Sequence, residues 1–201
     1  KLKKEIDNLE NRLKTKRQLD YQDKKQIEEV LKKRSELNQE LQKLQDQLKS
    51  LSEQQNRFSE SNPQLAEKME QLQKLMDNLL DEETKKLYEE LEKLLENNRN
   101  NFNLLDKLSQ KENTLEKEIE RALEMFKQLQ FEQKLDKEIN DLKELAKEQE
   151  KLAEKTENTP KPDEQTQQQL EQKQQELSEQ FEQQKQDMQE LEQMDKELEQ
   201  P

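Results

Sequence analysis

Carboxylates are the only abundant side chains in this sequence that could perform acid–base or metal chemistry. The 201 residues include 49 Asp and Glu but no His and no Cys, which excludes imidazole bases, thiolate nucleophiles and the usual zinc and haem ligands. Carboxylates three or four residues apart share one face of a helix, where they could flank a substrate or bind a hard cation. The pairs with that spacing include Glu116 with Glu120 and Glu176 with Glu179.

Two considerations argue against catalysis and metal binding by these pairs. Among 49 acidic residues such spacings arise by chance, and acid–base catalysis needs an enclosed site that shifts pKa values. A di-iron centre in a four-helix bundle needs a Glu-x-x-His motif, which a chain without His cannot supply. We therefore expect no enzymatic activity, no metal, no cofactor and no small-molecule substrate.

The elements that carry these side chains are predicted to be helices. The chain contains no Gly, the residue that β and α/β folds use in turns with positive φ. Its net charge of −13 and its hydrophobic content of 27% are also typical of disordered chains, but its apolar residues keep a regular spacing of three and four. The longest stretch with that spacing contains Ile27, Val30, Leu37, Leu41, Leu44, Leu48, Leu51 and Phe58.

A stripe of two apolar residues in seven is too narrow for a thick core, so each helix must pair with another helix. The sequence predicts an all-α fold, an elongated coiled coil or long-helix bundle of about four to six helices, with more than about 75% helix. No three apolar residues stand together. We therefore expect no membrane insertion in this segment, although an anchor outside it stays open.

Breaks in the pattern divide the chain into segments. Pro63 disfavours helix at Asn62 and suits the first turn of a helix capped by Asn62 or Ser61. The apolar phase blurs through residues 16–25, which is either a stutter or a turn, and Asn97–Asn101 is either a turn or a bend. The predicted segments are a long heptad helix or helical hairpin over 1–58, a short helix over 63–80, a long helix or helical hairpin with the main core over 81–157, a Pro-containing linker over 158–163, and a Gln-rich acidic helix over 164–200.

The widest apolar stripe lies in the segment 81–157, and we expect it to form the stability core. Its members are Ile119, Leu123, Phe126, Ile139 and Leu142. Met125, Phe126 and Phe131 lie together in the same stretch. These three residues either pack in the core or form a partner-docking patch, because Met and Phe suit adaptable binding surfaces.

Charge is distributed unequally along the chain. Residues 1–50 hold 14 Lys and Arg against 10 Asp and Glu, a net charge of +4, whereas residues 163–200 hold 3 against 12, a net charge of −9. Charges that flank heptad seams select partners, so we predict that the first and last helices pack together, within one chain or between copies. Acidic residues interrupt every basic cluster, no aromatic platform accompanies them, and the pI is near 4.8. We therefore expect no nucleic-acid partner.

Two stretches resemble part of a large bacterial family catalogued only as a domain of unknown function. They are LEKEIERALEMFKQLQFEQKL at 115–135 and ELAKEQEKLAEKT at 144–156. The resemblance implies an N-terminal membrane anchor, followed by a long low-complexity helical region rich in Glu, Gln and Lys that projects into the cell envelope. The family brings no catalytic residues. The chain begins at Lys1 and is in helical phase by Leu2, which indicates a piece of a longer protein.

These observations favour a non-enzymatic structural or scaffolding coiled-coil protein that acts through helix–helix protein interactions, as a fragment of a larger envelope protein. Its partners are expected to be other proteins or further copies of itself. The alternative is a regulatory adaptor that binds one defined partner on the surface formed by Met125, Phe126 and Phe131.

Overall fold

A computed structural model describes residues 2–58 and 62–199. Of this part of the chain, 89% is helical and none of it forms a strand, so the protein is an all-α helical bundle. The predicted fold class and the predicted helix content are confirmed. The six helices within the described ranges are α1 (Leu2–Leu13), α2 (Tyr21–Phe58), α3 (Pro63–Leu79), α4 (Glu82–Asn97), α5 (Phe102–Glu157) and α6 (Glu164–Leu198).

Asp and Asn side chains cap the N-termini of the helices from α2 onward, because their oxygens accept hydrogen bonds from backbone N–H groups of the first turn. The α2 start is reciprocal: the Asp20 carboxylate accepts from Asp23 N and the Asp23 carboxylate accepts from Asp20 N, at 2.8 and 3.0 Å. Of the two caps predicted for α3, Asn62 accepts from Leu65 N at 3.3 Å; Ser61 lies outside the described residues. The remaining caps are Asp81 for α4, Asn101 for α5 and Asp163 for α6.

The segment 98–101 is a turn between α4 and α5, and Asn97 is the last residue of α4. Asn98 has a φ of 53°, the only positive value among the described residues, and Asn is the side chain that tolerates this left-handed conformation best after Gly. Asn100 Nδ2 donates to the carbonyl oxygens of Leu13 and Lys16, at 2.6 Å each. The turn thereby satisfies carbonyls at the end of α1. The blurred stretch likewise contains a break, since α1 and α2 are separate helices.

The described residues form two compact units. Unit 1 holds 2–53 and 66–126, and unit 2 holds 54–58, 62–65 and 127–199. The helix α5 contributes residues 102–126 to unit 1 and residues 127–157 to unit 2. The two oppositely charged end segments lie in different units. The predicted packing of the first helix on the last helix stays a prediction.

The main core lies in unit 1, where side chains of α1, α2, α4 and α5 meet. Its buried members are Leu2, Ile6, Leu9, Leu13, Leu19, Ile27, Val30, Tyr88, Leu91, Leu104, Leu105 and Leu108. The prediction that the Ile119–Leu142 stripe forms the stability core is therefore wrong. Phe126 is buried, but Leu123 and Ile139 are 44% and 42% exposed. An apolar stripe becomes core only where enough helices surround it, and its width in the sequence does not supply those neighbours.

Candidate functional site

The second half of α5 and the helix α6 run antiparallel in unit 2. Lys134 Nζ lies 2.7 Å from a Glu190 carboxylate oxygen, and farther along α5 the side-chain amides of Gln149 and Gln174 exchange hydrogen bonds of 2.8 and 3.1 Å. Residue numbers rise on one helix as they fall on the other. A reciprocal amide pair beside an apolar seam favours this register, because a slip would break both hydrogen bonds.

The seam between these two helices is only partly covered. Leu152, Leu177 and Leu191 are buried, but four large apolar side chains are between 38% and 48% exposed. These four residues, which we name the open face, are Leu135 and Ile139 of α5 and Phe181 and Met188 of α6. The helices of unit 2 do not surround a stripe this wide, so its outer part stays in solvent.

Two hollows lie along the open face, and Leu142 lines both of them. The first has a volume of about 200 Å³ and is lined by Phe131, Leu135, Glu138, Ile139, Leu142, Met188, Leu191, Glu192 and Asp195. The second has a volume of about 380 Å³ and is lined by Leu142, Leu145, Ala146, Gln149, Gln174, Leu177, Ser178 and Phe181. Together they form an apolar groove with carboxylates at one end, which could receive the side chains of another helix.

Glu138 is the unusual residue of the first hollow. It occupies a seam position between Leu135 and Leu142 and is only 4% exposed, and its Oε2 atom has no hydrogen-bond partner among the described residues. Burial raises the pKa of the Glu138 carboxyl, and the negative charges of Asp187 and Asp141 raise it further. Burying a carboxylate without a full set of donors costs free energy, so a donor or a cation bound beside Glu138 would be stabilising.

The structure separates the three side chains predicted as a docking patch. Phe126 is buried, while Met125 and Phe131 are half-buried. Because an α-helix turns by about 100° per residue, Phe126 projects about 100° from Met125, and Phe131 projects more than about 100° from both. Only Phe131 lines a hollow of the open face. The docking role of these three residues stays a prediction.

Unit 1 contains a buried polar cluster with a different character. Arg34 donates to Glu112 Oε1 at 2.9 Å, and the Tyr88 hydroxyl donates to the same oxygen at 2.6 Å. The guanidinium of Arg34 also lies over the Tyr88 ring, 5.1 Å from its centroid. Burial and the nearby Glu112 charge raise the pKa of Tyr88, so its hydroxyl remains a donor. The cluster joins three helices and presents no activated nucleophile.

Charged residues at seam positions are the signal that the sequence carries for both clusters. Arg34 and Glu112 each fill a step of three or four between apolar residues, as does Glu138. Such residues are buried once the helices pair. The sequence alone does not tell which of them finds an opposite charge, because that depends on which helices become neighbours.

The carboxylate pairs chosen for their spacing do not form an enclosed site. Glu120, Glu176 and Glu179 are exposed, and Glu176 lies 3.7 Å from Lys173 on its own helix. Across the described ranges, no group of three or more Asp and Glu side chains is placed to hold a metal ion. In the same ranges, no helix has the length and apolar character needed to cross a bilayer.

Carboxylates pair with five of the Lys and Arg side chains of the basic N-terminal segment, namely Lys3, Arg12, Lys16, Lys33 and Arg34. Asp23 is buried, with Arg12 Nε at 2.8 Å and Lys16 Nζ at 3.0 Å from its oxygens, and Lys33 pairs with Glu5.

Comparison with known proteins adds no relative: no protein family, curated protein or solved structure matches the chain. The function must therefore be argued from the open face itself.

Proposed function

We propose that this chain is a non-enzymatic scaffold that binds other proteins through helix–helix contacts, as the coiled-coil part of a larger envelope protein. The observation that carries the proposal is the open face of unit 2, where four large apolar side chains line adjoining hollows on an otherwise polar pair of helices. The rest of the chain supports the same class of function, since the sequence has neither His nor Cys.

The energetics favour a helix as the occupant of the open face. Burying the exposed remainder of each apolar side chain contributes roughly 1 kcal/mol, so covering all four residues contributes several kcal/mol. A helix places side chains every three or four residues along one line, and the face offers apolar positions on two parallel rows. Leu135 and Ile139 are four residues apart on α5, and Phe181 and Met188 are seven apart on α6.

A regulatory adaptor is the second candidate. Phe131 supports it, because this half-buried ring lines a discrete hollow that one side chain of a defined partner could fill. The buried position of Phe126 gives the adaptor less support, because that ring is available to a partner only after repacking. The two candidates differ in the number of partners: a scaffold holds several neighbours or copies of itself, and an adaptor holds one.

The cellular location is part of the proposal. The resemblance of residues 115–135 and 144–156 to a membrane-anchored bacterial family supports a place in the cell envelope, with the anchor outside this segment. The full-length open reading frame tests this directly. A hydrophobic N-terminal stretch, followed by recovery of the protein in the membrane fraction, is the expected result; an open reading frame without such a stretch would contradict it.

Crosslinking in cells, followed by purification and identification of the products, tests the scaffold proposal. We expect several neighbours or self-products with the wild type and their loss in the double variant Ile139→Gln/Met188→Gln, which makes the open face polar. The matched control is Tyr21→Gln, because Tyr21 is an apolar side chain of unit 1 that is 81% exposed. One stoichiometric product favours the adaptor. Unchanged products from a folded double variant would contradict both candidates.

A further inference from the structure

We infer that the occupant of the open face is a basic amphipathic helix of a partner protein, which places a Lys or Arg side chain against Glu138. This inference rests on the proposed function and adds the chemistry of the partner. Three observations support it: the charge of the unit, the buried Glu138 carboxyl in the lining of the first hollow, and the pairing of Lys134, one turn before Glu138, with Glu190.

The charge of unit 2 favours a basic partner over a second copy. Residues 127–199 hold 11 Lys and Arg against 21 Asp and Glu, a net charge of −10. Two such surfaces repel each other, whereas a cationic helix is attracted and steered toward the face. The carboxylates at the first hollow include Glu192 and Asp195, so the negative charge borders the apolar lining.

Glu138 provides the specific contact. Its side chain is 96% buried in the lining of the first hollow, and its Oε2 has no donor among the described residues. The lysine one turn before it, Lys134, is engaged by Glu190 on α6 at 2.7 Å. A cationic side chain that enters the hollow would supply the missing donor and neutralise the buried charge.

The partner side chain must combine an apolar stem with a charged end. The walls beside Glu138 are Phe131, Leu135, Ile139 and Met188, all of them apolar. Lys and Arg have such stems, and they bury them along apolar surfaces while the charged end reaches a carboxylate. The remaining seam positions of the partner would carry Leu, Ile or Met, to cover Phe181 and the second hollow.

Designed peptides measured against the whole chain by fluorescence anisotropy test the inference. Three helical peptides of equal length, with Leu at heptad steps, differ as follows: the first carries surface Lys and a central seam Lys, the second carries surface Lys and a central norleucine, and the third carries surface Glu. We expect the first to bind about tenfold more tightly than the second, the increment of one charge-assisted hydrogen bond. The third should bind most weakly, and added salt should weaken the first.

Matched variants test whether the preference for the peptide with a central Lys depends on Glu138. Glu138→Gln removes one negative charge with little change of shape and should reduce the preference for the central Lys to less than about threefold. Glu144→Gln makes the same change at an exposed position of the same helix and should leave the preference intact. Circular dichroism establishes that both variants are folded.

The remaining outcomes separate this inference from the proposed function. Equal binding of the three peptides, or an unchanged preference in Glu138→Gln, would overturn the inference and leave helix docking in place. Self-association that disappears in Ile139→Gln/Met188→Gln would identify a second copy as the occupant, which also overturns the inference alone. Failure of every peptide and of self-association at the open face would overturn both.

Discussion

Ile27 of unit 1 and Ile139 of unit 2 both lie within long helices on apolar stripes, but Ile27 is 0% exposed and Ile139 is 42% exposed. Unit 1 brings α1, α2, α4 and the start of α5 around one cluster of apolar side chains. Apart from the end of α2 and the start of α3, unit 2 consists of two long helices side by side, and these leave part of each stripe exposed. The number of surrounding helices decides which apolar residues form a core and which form a surface.

The buried charges of the two units differ in the same way. In unit 1, Glu112 Oε1 receives donors from Arg34 and Tyr88, while its Oε2 has no donor among the described residues. In unit 2, Glu138 keeps one oxygen without a donor among the described residues. Arg34 of α2 supplies a cation to Glu112 at 2.9 Å, and Tyr88 of α4 supplies a second donor. A helix that covers a seam can therefore supply donors to a carboxyl group buried in it.

The largest expected effect is in the buried ion pair of unit 1. Arg34→Met should lower the free energy of unfolding by about 3–5 kcal/mol, because it leaves the Glu112 carboxylate buried without its cation. Lys33→Met removes the same charge from the adjacent, exposed pair with Glu5 and should cost less than about 1 kcal/mol. Urea unfolding followed by circular dichroism measures both. Equal losses would mean that Arg34 is not closed off from water.

The next largest effect is the difference in stability loss between substitutions of Ile27 and of Ile139. Ile27→Ala should cost about 3 kcal/mol through lost transfer energy and an unfilled cavity, and Ile139→Ala should cost less than about 1 kcal/mol because part of its side chain is already in water. Both substitutions remove the same atoms from a helix interior. A loss at Ile139 as large as the loss at Ile27 would contradict the open face in the free protein.

A smaller effect is expected from pH, with opposite signs in the two units. The pKa of Glu138 is raised, mainly by burial and then by Asp187 and Asp141, with Lys137 and Lys134 opposing. The folded chain therefore binds this proton more tightly than the unfolded chain. Acidification from neutral pH should stabilise unit 2 until the ordinary value of 4.5 is passed.

Unit 1 should lose stability only at lower pH. A hydrogen bond from Lys16, followed by the backbone N–H of Asp23, lowers the pKa of Asp20 from 3.8 to about 2. Its contribution is present above pH 3.8 and is lost as the pH falls toward 2. The free energies of unfolding of the wild type and of Glu138→Gln, measured at a series of pH values, test the predicted stabilisation of unit 2 by acid. A difference between them that does not change from pH 7 to pH 4.5 would contradict it.

Much of the fold is readable from the sequence, for local reasons. The missing Gly and the heptad spacing predict helices, and Pro63, Pro160 and Pro162 mark breaks, because these signals act within a few residues. The break between α1 and α2 has no Pro, and only the blurred apolar phase of residues 16–25 marks it in the sequence. Asn100, more than eighty residues away, donates to the Leu13 and Lys16 carbonyls at this break.

The candidate site was harder to predict, because burial depends on neighbours that are distant in sequence. Residue type and closeness in sequence predict a patch of Met125, Phe126 and Phe131, but rotation along α5 points these side chains in different directions. Ile139 was assigned to the core by the width of its stripe, whereas the exposed row on α6 that completes the open face lies more than forty residues farther on. Arg34 fills the step between Val30 and Leu37, but this position does not indicate its partner Glu112.

The most direct test of the account uses a single fluorescent label, which a chain without Cys makes simple. Met188→Cys carries a polarity-sensitive dye on the open face, and Tyr21→Cys carries the same dye on the surface of unit 1. When the basic peptide with a central Lys is added, the account predicts a blue shift and reduced acrylamide quenching at position 188 and no change at position 21. Equal responses at both positions, or binding of the peptide without a change at position 188, would contradict the claim that the open face is the docking surface.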